Sequence, residues 1–359
     1  MSNYIEYKDT VAFHPGYYIK EIIDDSGLTQ EDFAKRLDTT PKNLSYLVRG
    51  EQDLTIDMAM KLSRMVGTSV NYWLNLQNAY DSLVAEFKSQ QELLKERRIL
   101  EYLNYKYFVD NFGLPSLPRK KEAQIEELRK LLNVATLSVF ARRDMTVSFR
   151  SATQEMNEAE IVKANVMVQL AINIALNRSI PKFNKNKFKK AIEYALSLTT
   201  EHNRFYPLIR EKFDEAGVTL VILPNIAGSK INGATKKVGD NILLMVNDRR
   251  LYADSFWFTL FHEIGHIMQG DFGISFEKKG ADKESITDKY AEDSLIPADR
   301  YGKFVAEKRF TINDIRRFAK EINRDPGIVL GRLQNDKLVR RDDGTMNSLR
   351  HKYTVKVLL

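Results

Sequence analysis

The run Phe261-His262-Glu263-Ile264-Gly265-His266 constrains this chain more than any other. Two histidines four residues apart lie on one face, one turn apart, when the run is helical, so both rings can reach a single metal ion. The neighbours Phe256, Trp257, Phe258, Leu260, Ile264, Ile267 and Met268 make that helix strongly apolar. It therefore belongs in a core, where a metal site is dry and shaped. Glu263 sits beside the histidine face, placed to deprotonate a metal-bound water. Eighteen residues after His266, Glu284 and Asp288 repeat the four-residue spacing on a second predicted helix, Glu284 to Leu295, ended by Pro297. We read Glu284 as a third ligand, which leaves a fourth position open for water and substrate. Asp288 is read as the acceptor that orients a ligand histidine ring. The ion this set suits is Zn2+, and the chemistry is peptide hydrolysis. The competing reading is a buried histidine pair satisfied by hydrogen bonds, with both carboxylates solvated. The apolar helix and the downstream carboxylates together favour the metal.

A chain of 359 residues has room for two or three domains. Hydrophobic content of 43% and charged content of 29% are ordinary for a globular protein. With no cysteine, disulfides, thiolate zinc sites and cysteine nucleophiles are excluded. No stretch reads as eighteen consecutive apolar residues, and Met1 to Thr10 lacks a signal-peptide pattern. A cytoplasmic protein with no membrane partner is expected.

Residues 14 to 75 read as short helices with sharp punctuation. Pro15 opens the first and Gly27 ends it; Thr29 caps Gln30 to Leu37, with Asp32 three residues on. Thr40-Pro41 opens a third, closed by Gly50, and Leu54-Thr55-Ile56 starts a fourth. Val70, Trp73 and Leu74 lie on a fifth. A tight turn between the second and third helices makes a helix-turn-helix. Its exposed polar candidates for DNA contact are Gln30, Lys42, Asn43, Ser45, Tyr46 and Arg49, while Leu44 and Leu47 pack inward. Residues 1–80 hold eight Lys/Arg against eleven Asp/Glu, a balance that suits a protein-binding module better than a DNA reader. Lys35, Arg36, Lys42 and Arg49 nevertheless gather on the second and third helices, and local placement outweighs the total.

His14-Pro15-Gly16, Gly27-Leu28-Thr29-Gln30, Asn43-Leu44-Ser45 and Asn71-Tyr72-Trp73-Leu74 resemble the HigA-type antitoxin branch of the Xre helix-turn-helix family. The resemblance implies a dimeric repressor that binds operator DNA near its own promoter and neutralises a cognate toxin.

Residues 75 to about 112 read as a long charged helix, either a connector or a dimer seam. Pro115, Pro118 and Arg119-Lys120-Lys121 mark a boundary, and helical patterning continues to about residue 200. The basic stretch Arg178 to Lys190 suits nucleic acid or a solvated linker, the second being the blander reading. Strand signals appear only after residue 217: Val218 to Leu223, then a hairpin over 231–246 turning at Gly239-Asp240-Asn241. Ile242 to Val246 is expected to be an edge strand that holds an extended peptide substrate. After Arg309, Thr311 caps Asp314 to Glu321, Asp325-Pro326-Gly327 turns, and a further helix follows. This tail is expected to pack over the preceding domain.

Ala216-Gly217-Val218, Phe256-Trp257-Phe258, His262 to His266, Glu284 with Asp288, and Tyr290-Ala291 before Leu295-Ile296-Pro297 resemble the ImmA/IrrE family of metallopeptidases, which is similar to gluzincins. The resemblance carries the roles of ligand onto His262, His266 and Glu284 and of general base onto Glu263. Thr287 and Ile286 depart from the family pattern, where Ala and a second acidic residue are common; neither is a ligand. Tyr252, His202 and His351 are candidates for a second transition-state donor by residue type alone.

The expected fold is α+β, mostly α. The expected domains are a five-helix helix-turn-helix unit over 1–78, a helical connector over 79–200, a zincin-like domain with a small sheet over 201–300, and a helical extension over 301–359. Expected partners are operator DNA, a protein substrate such as a repressor or a cognate toxin, and a second copy of the chain.

Overall fold

The computed structural model describes residues 3–143, 145, 156–249, 252–276 and 282–353, with backbone alone at 276 and 282–284. The fold is mostly helical, with small sheets, and divides into two compact units, Met1–Lys95 and Glu96–Leu359.

The first unit opens with a hairpin of β1 (Tyr4–Tyr7) and β2 (Thr10–Phe13), paired Tyr7 to Thr10. Strand signals were expected only after residue 217, so this is a correction. Each strand is four residues long. The turn is made by Lys8 and Asp9, both left-handed at φ 46° and 43°. That is the backbone of a two-residue hairpin turn without its usual Asn-Gly signature. Five helices follow: α1 (Pro15–Ser26), α2 (Gln30–Arg36), α3 (Pro41–Val48), α4 (Ile56–Val66) and α5 (Val70–Tyr102). Their boundaries come from local chemistry. Thr29, Thr40 and Thr55 each accept a backbone N–H from the residue three positions on, and Gly27 and Gly67 close α1 and α4 in the left-handed conformation. Ile19, Phe33, Leu44, Leu47, Leu62 and Trp73 form the core. At Gly16 any Cβ would stand 2.0 Å from the Leu47 carbonyl oxygen, so only glycine lets α1 approach α3. The sequence suggested two helices over 70–112. The structure runs α5 unbroken for 33 residues, then restarts at Asn104, which caps α6 (Tyr105–Phe112). No glycine, proline or capping break lies between Val70 and Tyr102 to stop it.

The second unit contains α7 (Lys121–Leu132), a 3-10 helix over Leu137–Ala141, α8 (Glu158–Leu176), α9 (Lys185–Ser197) and α10 (Phe205–Glu215). A sheet follows, formed by β3 (Val218–Leu223), β4 (Ile231–Val238), β5 (Asn241–Asn247) and β6 (Gly273–Phe276), in the order β3-β5-β4-β6. β3 runs parallel to β5, while β4 is antiparallel to both β5 and β6. β5 is therefore an interior strand with neighbours on both sides, and Ile242 to Val246 cannot be the edge that was expected. β3 and β6 are the edges. The expectation failed because the β3 crossover pairs in parallel on the far side of β5, a long-range choice that hairpin signals do not encode.

Then come α11 (Ala253–Gln269), α12 (Asp282–Leu295), α13 (Ala298–Ala306), α14 (Ile312–Glu321), α15 (Pro326–Asn335) and α16 (Gly344–Asn347). Ile242, Leu244 and Val246 share one core with Trp257, Leu260, Phe261 and Ile264 of α11. Alternation turns Leu243 and Met245 to the opposite face of the sheet, and both are buried too. The sheet is thus covered on both faces, with α8 packed on β3, β4 and β5. α8 is long and apolar enough to cross a membrane by length and composition, more so than the sequence reading allowed. Its burial, with Val162, Val166 and Ala171 wholly enclosed, makes it a core helix. Ile315, Phe318, Val329, Leu330 and Leu333 join the core around α11. The C-terminal helices pack on this unit as expected, and as part of its core.

Candidate metal centre and nucleic-acid interface

α11 is apolar around most of its circumference, and its burial encloses the motif. His262 is 8% exposed; Glu263 and His266 are 0%. The helical spacing brings the two rings to 4.8 Å between centroids, and their Nε2 atoms face each other 3.1 Å apart. Behind each ring stands a carboxylate. Asp288 Oδ1 lies 2.9 Å from His262 Nδ1, and Asp271 Oδ2 lies 3.4 Å from His266 Nδ1. The Asp288 hydrogen bond favours the proton on His262 Nδ1 and the lone pair on its Nε2, while Asp271 stays outside hydrogen-bond geometry with His266. Nitrogens facing at 3.1 Å can share one proton or together hold a cation. Zinc accepts imidazole nitrogens at about 2.0–2.1 Å in tetrahedral array, which sets two of them roughly 3.3 Å apart. The residues present therefore fit the ion.

Asp288 Oδ1 lies 2.9 Å from the His262 ring nitrogen Nδ1. Glu284 falls on the backbone of α12, and its side chain lies outside the described residues. Gly265 allows α12 to come close: a Cβ there would meet the Tyr290 ring at 3.0 Å and Thr287 Cγ2 at 3.3 Å. Glu263 is pressed against β4. A Cβ on Gly233 would meet its Cγ, Oε1 and Cδ at 2.6 to 2.8 Å. Sequence reasoning missed Gly233 and Asp271. Asp271 had a signal, since it follows the left-handed cap Gly270 and can fold back on the last turn of α11; Gly233 had none, because its role depends on strand-to-helix packing.

The candidate second donors are engaged elsewhere. Tyr252 precedes α11 and lies beneath Arg350, 4.0 Å from its ring. It is ten residues, about 15 Å of helix, before His262. His202 and His351 both turn to Asp325.

In the first unit, α2 and α3 form the expected turn-linked pair. Lys42, Tyr46 and Arg49 are exposed, while Gln30, Asn43 and Ser45 are half-buried. Lys42, Tyr46 and Arg49 share one face of α3, with Lys42 Nζ 5.7 Å and Arg49 Cζ 5.3 Å from the Tyr46 ring centre. A cation–aromatic–cation row of this kind can meet phosphate and base edges together. Asn43 is partly committed, donating from Nδ2 to Thr39 Oγ1 at 2.9 Å. Arg49 also pairs with Glu51 at 3.1 Å, and Lys35 with Glu31 at 2.8 Å; Lys35 is thereby partly neutralised.

A helix-turn-helix family model matches residues 19–73. The uncharacterized HTH-type transcriptional regulator YddM of Escherichia coli (strain K12) is 36% identical over 86 residues, which span 24% of this chain and 89% of that protein. The chain belongs to the helix-turn-helix regulator family. Virulence-associated protein I of Dichelobacter nodosus is 36% identical over 80 residues, 22% of this regulator and 74% of that protein. Among solved structures, an addiction module antidote protein of a HigA family from Coxiella burnetii is 32% identical and covers 23% of this chain and 92% of its own, at a TM-score of 0.22. The family match gives the first unit of this regulator a DNA-binding function. The histidine pair lies beyond the matched residues.

Proposed function

We propose that this regulator carries a zinc-dependent peptidase in its second unit and cleaves a protein substrate, a repressor or a partner protein. The observation that carries the reading is the pair of facing Nε2 atoms with a carboxylate behind each ring. His262, His266 and Glu284 would hold the ion. Zinc, when bound, supplies a Lewis acid for the scissile carbonyl and lowers the pKa of a water. Glu263 takes the proton of the attacking water and passes it to the leaving amine. Gly233 fixes where that carboxylate stands. An extended substrate adds to the edge strand β6 by main-chain hydrogen bonds. Ser275 of β6 pairs with Gly233, one strand from Glu263. In this reading the DNA-binding first unit brings the activity to operator DNA in the cytoplasm.

A second reading follows from the antitoxin-like residues of the first unit. Here the chain is a dimeric repressor of its own operon that neutralises a toxin, and the second unit senses a ligand without cutting. The two readings part on one comparison. Zinc content and newly created protein N-termini are measured in source-cell lysate treated with wild type or with Glu263→Gln. Peptidase action gives near-equal zinc in both proteins and new termini with wild type alone. Equal termini with both proteins, or none with either, would overturn it and leave the sensing role.

A further inference from the structure

The chain has five histidines. Two form the pair on α11, and two more meet elsewhere. His202 lies ahead of α10, Asp325 caps α15, and His351 lies in the segment after α16. These three residues offer donor atoms that all lie within 4.8 Å of one another. Asp325 is 1% exposed. Its Oδ1 accepts the Gly327 N–H at 2.8 Å. Its Oδ2 lies 3.1 Å from His202 Nε2 and 3.1 Å from His351 Nδ1. Yet Oδ2 meets neither ring in a direction that makes a hydrogen bond. The rings themselves stack at 3.7 Å and 22°. The other nitrogen of His202, Nδ1, is held by the Tyr353 hydroxyl at 3.1 Å, which also accepts from Trp257 Nε1 at 3.2 Å.

We propose that His202, Asp325 and His351 form a second divalent-metal site, of the zinc class and separate from the His262/His266 centre. Two imidazole nitrogens and one carboxylate oxygen are a three-ligand set that zinc and its neighbours in the first transition row accept, with a remaining position for water. An ion would bind the buried Oδ2, which already faces both ring nitrogens at 3.1 Å. Tyr353 behind His202 is the outer partner that a ligand histidine needs. The His351 side chain, 52% exposed, opens the site to solvent. The ion would tie residues 350–353 to the segments before α10 and α15, in addition to their existing hold on the start of α11. Those residues already reach it through Ala253 N–H to the His351 carbonyl at 2.8 Å and through the two-pronged Arg350–Asp254 pair.

The test uses the full chain carrying His262→Ala and His266→Ala, stripped with a chelator and titrated with Zn2+ and then Co2+. One equivalent is expected to bind. Adding His351→Ala, or separately His202→Ala, should weaken binding at least tenfold while circular dichroism shows the fold kept. Absence of uptake in the His262/His266 variant overturns the site, and so does uptake that survives His351→Ala. If the starting variant misfolds, His351→Ala alone in the otherwise unaltered chain must remove one equivalent of bound zinc, and failure to do so overturns the site equally. Because the pair on α11 is absent from the main experiment, its result does not depend on the peptidase reading.

Discussion

Gly233 and Glu263 define each other's positions. A methyl group at residue 233 would have to displace the Glu263 carboxylate, which is fully enclosed and cannot swing to solvent. Gly233→Ala is therefore expected to destabilise the second unit by about 1–3 kcal/mol, in the range of overpacked cores, and to abolish any Glu263-dependent cleavage. Urea denaturation followed at Trp257 checks the first part; an unchanged midpoint would mean that β4 yields. His14 makes a different residue-scale prediction. Its Nδ1 accepts the Gly16 N–H at 3.0 Å at the start of α1, and burial holds its pKa below the ordinary value, against a weaker opposite pull from Asp53 and Asp81. The fold therefore prefers neutral His14, whereas the unfolded chain protonates it near pH 6.5. The stabilising contribution is complete above that pH and is lost as pH falls through the lower, folded pKa. Trp73 alone reports on the first unit in a Trp257→Phe background. In that background the unit should weaken as pH falls below about 6.5, and His14→Asn, which keeps a cap, should flatten that slope. Equal slopes in the two proteins would sink the idea.

At the scale of elements, helices were the legible part. Thr29, Thr40, Pro15 and Gly27 each mark a boundary through a local hydrogen bond or a fixed backbone angle, so neighbouring residues suffice to place it. Thr311 and Asp314 form the full reciprocal capping box at α14. Thr311→Ala should cost about 1 kcal/mol and lower the thermal midpoint read at Trp257; an unmoved midpoint would show that the packing of Ile315 and Phe318 suffices without the cap. The hairpin of β4 and β5 was legible from its turn, and the histidine pair from its spacing. What stayed hidden depends on distant contact. The interior place of β5 is set by β3, the role of Gly233 by α11, and the meeting of His202, Asp325 and His351 by three remote segments. The β1–β2 hairpin escaped for a local reason, because Lys8 takes a left-handed conformation that lysine seldom adopts and no glycine follows Asp9 to mark the turn.

The whole molecule has one tryptophan core in each unit, Trp73 and Trp257, both fully buried. The acidic balance of residues 1–80 means that DNA affinity rests on few cations. Lys42→Ala and Arg49→Ala should each weaken operator binding across all sequences and reduce the salt dependence by about one unit of slope. A loss confined to particular bases would instead assign the residue to base reading. The second unit is closed by a strap. Arg350 reaches back 96 residues to Asp254, at the first turn of α11. A ribosome makes α11 long before it makes that strap. Through the interval Asp254, 8% exposed in the finished fold, has no counter-ion, and Trp257 lacks the Tyr353 oxygen. The start of the helix that bears the histidine pair is thus fully fastened only once residues 350–353 have been made. A chain released before Arg350 would carry His262 and His266 on a helix whose start is unfastened.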